Sequence, residues 1–378
     1  MSPQRPSGSH PSVEVVFSSR DFAYSNLWQY ESAGPCMLLR AERHRLPSEA
    51  PPGEVVLVKR VQDTGDLRAQ HRLLEESRVM RLMDHPGILR VLDVAEHATG
   101  PHVVLEYVEG ITLERVLNKA AKRMQPVSEP FAATVAAAVA DALHHAHTRT
   151  DERGEPLHLV HRGVSPRTIR VTESGGFKLT DFSAVRTAAP GGVSTDPHLL
   201  KGEVEYAAPE ILRTETPDGR ADIFSLGLVL VEMLTLQHLY DPPRQAQPPR
   251  LRGFFAKLRS LVQAEKPGWG EPAELAACAA RLQPVEVARV LSHVSAPLRE
   301  ITLQALRVSP EERYPTAAAL SEALWWFLSK NHASYGPEAV VREVRQVVSM
   351  AAREHGVMET SEATVPAAFR RRLRARRR

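Results

Sequence analysis

The residues of this chain best suited to chemistry lie in one stretch, LVHRGVSPRTIRVTESGGFKLTDFS, at positions 159–183. Asp181 carries a hard carboxylate oxygen, which is the kind of ligand that Mg²⁺ prefers. Asp181 is therefore the candidate metal ligand of this stretch.

The same stretch resembles the catalytic loop and metal-binding segment of protein kinases, H-R-D-x-x-x-x-N followed by D-F-G. Gly163 stands at the catalytic aspartate, Thr168 at the metal-binding asparagine and Ser183 at the glycine of the second motif. The resemblance implies no catalytic residue at position 163, and a metal held weakly by Asp181 because Thr168 replaces the second ligand. The positions that match are His161, Arg162, Asp181 and Phe182.

Motifs before this stretch extend the resemblance. Val56-Leu57-Val58-Lys59 is similar to the V-A-I-K strand, whose lysine contacts the ATP phosphates and a helix glutamate. Glu76 is the expected partner, since it lies nine residues before His85 of a His-Pro turn. Leu105 would be the gatekeeper, and residues 106–108 the hinge, with Glu106 and Val108 as candidate nucleotide contacts.

Motifs after the stretch complete the pattern. Ala208-Pro209-Glu210 resembles the A-P-E motif, and residues 222–227 resemble the start of the central helix of the larger lobe. Arg313 occupies the position that pairs with the A-P-E glutamate in this family. The chain is identified as a member of the bacterial-type Ser/Thr protein kinases, which implies an α+β, two-lobed fold with a β-rich N-lobe and a helical C-lobe.

The phosphate-binding loop departs from the family pattern. Residues 30–38 align with G-x-G-x-x-G-x-V, and Glu31, Ala33 and Cys36 fall at the glycine positions. Side chains there obstruct the approach of backbone amides to phosphates, and Glu31 would repel them. Cys36 fits a packed strand cysteine better than a reactive thiol.

The adenine slot is also altered. Leu57 replaces the small alanine of the roof, and Arg170 replaces the apolar floor. Strand alternation points Arg170 toward the cleft, where an unpaired buried cation would cost several kcal/mol. Arg170 could instead extend outward, stack on a base, or join Lys59, Glu76 and Asp181 in an ion-pair cluster that fixes the lobes without ligand. Residual nucleotide binding remains the alternative to that cluster.

Hydrophobic periodicity predicts the elements that must position these residues. Residues 54–61 and 102–107 alternate as strands, and residues 129–148 form an Ala-rich helix with Ser128 as N-cap. The expected organisation is a disordered segment at 1–14, a kinase-like domain at 15–330 divided near residue 108, an amphipathic helix within 331–358 and a basic tail at 359–378. The helix could pack back onto the C-lobe or bind a partner.

Composition limits the classes of function. The net charge is +3, but the C-terminal 13 residues hold seven arginines, and the rest of the chain has 41 basic and 45 acidic side chains. The tail could be solvated, dock to an acidic protein, or make an accessory contact with nucleic acid or anionic lipid.

No apolar run predicts a transmembrane segment, and two cysteines are too few for a disulfide framework, which favours the cytoplasm.

Three further sets of residues have lesser expected roles. His144, His145 and His147 lie on an expected helix, and their spacing does not fit a zinc site. Ser194 and Thr195 lie in the expected activation segment and could accept phosphate near Arg162, although an unmodified segment is favoured. Glu203 stands where many kinases have a threonine that contacts the catalytic aspartate, which is absent here.

The sequence as a whole favours a pseudokinase. Such a protein would act as a signalling scaffold or allosteric regulator by binding another protein, most plausibly an active kinase or its substrate, and would require no cofactor. ATP with Mg²⁺ remains the candidate ligand if binding survives. The alternative is a weakly active Ser/Thr kinase or an atypical ATP-dependent transferase, which would depend on Lys59 and Asp181.

Overall fold

The computed structural model describes residues 15–33, 35–46, 53–182, 204–240, 275, 277–279 and 282–354. These residues form the expected two-lobed kinase fold, with a β-rich N-lobe and a helical C-lobe. The N-lobe sheet is antiparallel, with strand order β1-β2-β3-β4-β6-β5. Its strands are β1 Val15–Ser18, β2 Phe22–Ala33, β3 Cys36–Arg45, β4 Glu54–Val61, β5 Val91–Ala95 and β6 His102–Glu106.

Strand β4 contributes side chains to both faces of the sheet. Val56 and Val58 pack in a cluster with Phe17 and Tyr24, whereas Leu57 belongs to the core cluster that continues into the C-lobe. This alternation follows from the pleat of a β-strand, which sends successive side chains to opposite faces. Lys59, two residues after Leu57, therefore points to the face that borders the cleft.

Helix α1, Leu67–Arg81, covers the cleft side of the sheet. Its N-terminus is capped by Asp66, whose carboxylate accepts a hydrogen bond from the Ala69 amide at 2.9 Å. Leu73 and Met80 on the inner face are buried, and Glu76 lies between them on the same face. The helix thus presents a carboxylate to the strand that carries Lys59.

Eight α-helices with defined bounds follow the hinge in the described part of the chain. The most buried is α5, whose residues from Ala221 to Val231 are all buried, as expected of a helix at the centre of a domain. The helices are α2 Leu113–Lys122, α3 Glu129–His147, α4 Pro209–Leu212, α5 Arg220–Thr235, α6 Pro284–Val290, α7 Ala296–Ala305, α8 Ala317–Asn331 and α9 Pro337–Glu354.

A small antiparallel sheet forms the floor of the cleft. It consists of β7 Gly110–Thr112, β8 Ile169–Thr172 and β9 Phe177–Leu179, paired in that order. Ile169 and Val171 on β8 are buried below the sheet, while Arg170 between them is half-buried on the opposite face. The expected orientation of Arg170 toward the cleft is confirmed.

Other elements also agree with the sequence. The strand predicted at 54–61 is β4, and the helix predicted at 129–148 is α3, whose Ser128 hydroxyl accepts a hydrogen bond from the Phe131 amide at 3.3 Å. No helix in the described part of the chain has both the length and the apolar character needed to span a membrane. Residues 1–14 and 355–378, which include the basic tail, lie outside the described residues.

The amphipathic segment after the kinase-like domain forms α9. The helix packs against α2, and its Val340 and Val347 side chains are 0% and 7% exposed. Val344 packs against the same core. Of the two interpretations of this helix, docking onto the C-lobe is the one that the fold supports.

Candidate functional site

Lys59 is the centre of a buried ion-pair cluster. Its Nζ atom lies 2.8 Å from each carboxylate oxygen of Glu76 and 3.2 Å from Oδ1 of Asp181. Burial lowers the pKa of Lys59, but the Glu76 and Asp181 carboxylates outweigh that effect and the net shift is upward. The predicted pairing of Lys59 with Glu76 is confirmed, and the lysine stays protonated without any ligand.

Asp181 lies just beyond β9, where it faces Lys59. Its φ angle of 61° is in the left-handed region, which non-glycine residues adopt at some energetic cost. The next residue, Phe182, is fully buried, and its ring packs edge-on against His161 with centroids 4.5 Å apart. The Asp181 carboxylate keeps 30% of its surface exposed and so could still reach a metal ion.

The backbone of the catalytic-type loop is anchored by Asp222 on α5. The Asp222 carboxylate accepts hydrogen bonds from the amides of His161 and Arg162, each at 2.8 Å, and lies 2.8 Å from Nε2 of His147. Burial alone would raise the pKa of Asp222, but the contacts with His147, His161 and the Arg162 amide lower it overall. The loop is therefore held in place by groups that do not take part in phosphoryl transfer.

The Gly163 amide and the Thr168 hydroxyl make their hydrogen bonds within this loop. The Gly163 amide donates to Nδ1 of His161 at 3.1 Å. The Thr168 hydroxyl accepts from the Ser165 amide at 3.0 Å, and its single proton faces the carbonyls of Gly163 at 2.8 Å and Ser165 at 3.1 Å. Since Thr168 is 3% exposed, its oxygen is committed to the loop and is a poor ligand for a second metal ion.

Arg170 is held in the cleft by three hydrogen bonds. Its Nε donates to the carbonyl of Val108 at 3.0 Å, and its Nη2 donates to the carbonyl of Gly110 at 2.8 Å and to the hydroxyl of Tyr30 at 2.5 Å. These partners satisfy a cation that would be costly to bury alone. Among the described residues, no contact joins Arg170 to the Lys59 cluster. The expectation that Arg170 could belong to that ion-pair cluster is therefore wrong.

Aromatic rings extend the contact of Arg170 toward the outer side of the hinge. Its guanidinium carbon lies 5.7 Å from the centroid of the Tyr30 ring, which packs edge-on against Tyr107 at 6.2 Å. On the other side, the guanidinium of Arg40 lies 4.4 Å from the centre of Tyr107. Cations and rings thus alternate across the hinge, an arrangement favoured by the negative faces of the rings.

The hinge residues are engaged by protein groups. Oε1 of Glu106 lies 2.6 Å from Nζ of Lys178 and accepts from the Arg90 amide at 2.9 Å. The Val108 carbonyl accepts from Arg170, as described above, and Leu57 is 7% exposed in the core that borders the slot. The sequence predicted that Glu106, Val108 and Leu57 lie at the slot, but nothing in its pattern predicted the contact between Lys178 and Glu106.

The hairpin between β2 and β3 stands where the phosphate-binding loop is expected. Ala33 is paired with Cys36, and Glu31 is paired with Leu38, so the strands reach almost to the tip. Pro35 at the tip has no backbone N–H to offer a phosphate. Cys36 is 7% exposed, and burial raises the pKa of its thiol to about 11, which agrees with a packed cysteine and not a reactive one.

Several sequence expectations lie outside the described residues, namely Ser183, Ser194, Thr195 and Glu203. Among the residues that are described, no group of three or more His, Cys, Asp or Glu side chains could hold a metal ion. His147 instead contacts the Asp222 carboxylate, and His145 packs against His85 with ring centroids 5.1 Å apart.

In the A-P-E region, the guanidinium of Arg313 pairs with both oxygens of Glu210 at 2.6 and 2.9 Å, as predicted.

Comparison with known proteins agrees with this geometry. The family model described as "Protein kinase domain" matches residues 48–326. The chain is 32% identical over 262 residues to tyrosine-protein kinase MasK of Myxococcus xanthus, which covers 69% of this chain and 36% of that protein. It is 29% identical over 255 residues to serine/threonine-protein kinase PknB of Mycolicibacterium smegmatis, which covers 66% of this chain and 34% of that protein. The chain thus spans about a third of the length of these relatives.

Proposed function

The chain belongs to the protein kinase family, of the bacterial type, and we propose that within it the chain acts as a pseudokinase that regulates another protein by binding it. The observation that carries this proposal is Arg170, whose guanidinium bonds to the Val108 and Gly110 carbonyls and to Tyr30. In the family, adenine lies against that part of the hinge. A protein side chain that uses the hinge carbonyl and crosses to β2 competes with the ligand for the same space.

The loss of chemical groups supports the same proposal. Gly163 brings no base to a step in which a positioned base contributes about 10²–10⁴-fold. Thr168 uses its hydroxyl within the loop, and the β2–β3 hairpin has Pro35 at its tip where amides would cradle phosphates. Of the parts that remain, Lys59 pairs with Glu76 at 2.8 Å and with Asp181 at 3.2 Å, and the second pair links the lobes without nucleotide.

The second candidate function is a weakly active kinase or another ATP-dependent transferase. The same cluster favours it, since Lys59 and Asp181 lie where they would contact phosphates and Mg²⁺, and Asp181 is partly exposed. Both named relatives are kinases, one called a tyrosine kinase and one a serine/threonine kinase. Under this candidate, Asp181→Ala abolishes turnover, and ATP with Mg²⁺ is the cofactor.

The partner in the first candidate is another protein, and an active kinase or its substrate is the class we propose. The family resemblance supports this class, because active kinases act on proteins and a kinase fold without chemistry still offers the same surfaces.

An accessory contact of the basic tail with nucleic acid or anionic lipid would be a separate activity, lost on deletion of residues 366–378 and weakened by salt. Both cysteines in the described residues are free, which supports the cytoplasm as the proposed location.

The test is a phosphoryl-transfer assay on five proteins, with γ-labelled ATP, Mg²⁺ and a general protein substrate. They are the wild type, Asp181→Ala, Gly163→Asp, the triple variant Gly163→Asp/Thr168→Asn/Arg170→Leu, and the triple variant with Asp181→Ala added. The pseudokinase proposal expects no transfer above background from the wild type or from Gly163→Asp, because the slot remains filled. Transfer by the wild type that disappears in Asp181→Ala would establish the second candidate, and recovery by Gly163→Asp alone would also contradict the first. The quadruple variant identifies any transfer that does not depend on Asp181.

A further inference from the structure

Helix α9 is fixed to the C-lobe by one carboxylate that receives three hydrogen bonds. Glu343 accepts from the amide and the hydroxyl of Ser128, each at 2.7 Å, and from the hydroxyl of Tyr335 at 2.6 Å. Val340 and Val347, a turn away on either side, are buried. The combination of directional bonds and apolar burial sets the rotation of the helix as well as its position.

The start of α9 presses on the turn between β8 and β9. Gly175 in that turn has a φ angle of +85°, and a Cβ atom placed on it would come within 2.2 Å of the carbonyl oxygen of Pro337. Only glycine allows such an approach of two backbones. Farther along, α9 packs on α2, the helix that directly follows β7.

The contacted turn directly follows β8, and the contacted helix α2 directly follows β7. Arg170 is a residue of β8 and pairs with Thr112 of β7. Gly110 of β7 supplies a carbonyl that Arg170 bonds at 2.8 Å. Thr112 is also the N-cap of α2, where its hydroxyl accepts from the Arg115 amide at 3.3 Å. One helix therefore braces the strand that carries Arg170 and the strand that receives it.

We propose that α9 is a latch that keeps Arg170 in the nucleotide slot. When α9 is released from α2 and from the Gly175 turn, β7 and β8 loosen, Arg170 loses its fixed partners and the slot becomes accessible to a nucleotide. This inference rests on the proposed function, in which Arg170 occludes the slot. It adds that the occlusion is regulated by whatever displaces α9.

The size of the effect follows from a two-state equilibrium. If the open state is populated at about 1–10% when α9 is docked, releasing the helix raises the apparent affinity for nucleotide by about 10–100-fold. A helix that only adds stability would leave this affinity unchanged. Affinity, measured together with the local opening of β7 and β8, therefore separates a latch from a structural support.

The experiment uses the full chain with a fluorescent ATP analogue in the presence of EDTA. The release variants are Glu343→Ala, which removes the acceptor of all three bonds, and Val340→Asp/Val347→Asp, which introduces charge at both buried positions. The control on the same helix is Arg342→Ala, whose side chain is 71% exposed. Hydrogen exchange over residues 337–349 reports release of α9, and exchange over residues 108–112 and 169–172 reports the state of the slot.

The latch predicts a gain of about 10–100-fold in analogue affinity, with faster exchange in both regions for the release variants and neither change in Arg342→Ala. It is overturned if α9 exchanges rapidly in either variant while affinity stays within about twofold of the wild type, or if neither variant releases α9, since these contacts would then not hold it. Arg170→Leu separates the two proposals. If it gains affinity and the release variants do not, only the latch fails. If the wild type already binds as tightly as Arg170→Leu, the occluded slot itself is wrong.

Discussion

Arg170 and Tyr30 join the two lobes directly, with Nη2 of the arginine 2.5 Å from the hydroxyl oxygen of the tyrosine. Arg170 belongs to the small sheet on the C-lobe side, and Tyr30 belongs to the N-lobe sheet. A second link runs from Lys59 to Asp181 at 3.2 Å. The lobes are thus linked by groups of the protein itself both at the adenine position and at the phosphate position.

The ion pair of Lys59 should contribute to stability in the absence of nucleotide. Lys59→Met leaves the Glu76 carboxylate buried without its partner, which costs about 3–5 kcal/mol when a buried pair is broken on one side. Urea unfolding without ATP measures this loss. The control is Lys178→Met, which breaks the more exposed pair with Glu106 and should cost about 1 kcal/mol. Equal losses in the two variants would show that the Lys59 cluster does not hold the lobes.

Stability should fall as the pH is lowered below about 6.5. His161 is 1% exposed, and burial lowers its pKa although Asp222 and Asp181 oppose that shift. Because the unfolded chain then binds a proton that the folded chain excludes, each such histidine removes up to about 1.4 kcal/mol of stability per pH unit below the unfolded pKa, until the folded pKa is reached.

Measurements of the free energy of unfolding between pH 7.5 and 5.5 would show this slope. His161→Phe should flatten it, because phenylalanine has no proton to bind. An unchanged slope in His161→Phe would mean that other groups, such as His85, His102 or His145, cause the acid sensitivity.

The close contact of Gly175 with α9 can be measured against a matched glycine. Gly154 has the same φ of +85°, but nothing lies within 4 Å of a Cβ placed there. Gly154→Ala should therefore cost only the left-handed strain, about 1 kcal/mol. Gly175→Ala should cost more, because its Cβ must also displace Pro337. Equal melting temperatures for the two variants would mean that the start of α9 moves aside freely.

Motifs in the sequence were sufficient to predict the fold and the Lys59 cluster. Lys59 lies in a strand and Glu76 in a helix, so their pairing followed from the family pattern and is present in the structure. The direction of Arg170 followed from strand alternation between Ile169 and Val171. In each case, a periodic backbone transmits position to the side chain.

The partners of Arg170 could not be predicted in the same way. Tyr30 lies 140 positions away in the sequence, and nothing in its local pattern marks it as an acceptor for a guanidinium. The carbonyls of Val108 and Gly110 are backbone atoms and carry no signal in residue type. The Glu343 contacts with Ser128 and Tyr335 are similar, since they arise from how α9 docks and not from the amphipathic stripe that predicted the helix.

The most direct test of the occluded slot is thermal unfolding of the full chain with millimolar ATP, with Mg²⁺ or with EDTA, for the wild type and for Arg170→Leu. We predict no shift in the melting temperature of the wild type and an upward shift in Arg170→Leu, in which an apolar floor replaces the guanidinium. A ligand at a hundredfold excess over its Kd adds about 2.7 kcal/mol, which a melting curve resolves. A shift in the wild type that is lost in Lys59→Ala would contradict the account and establish that this chain binds nucleotide with Arg170 in place.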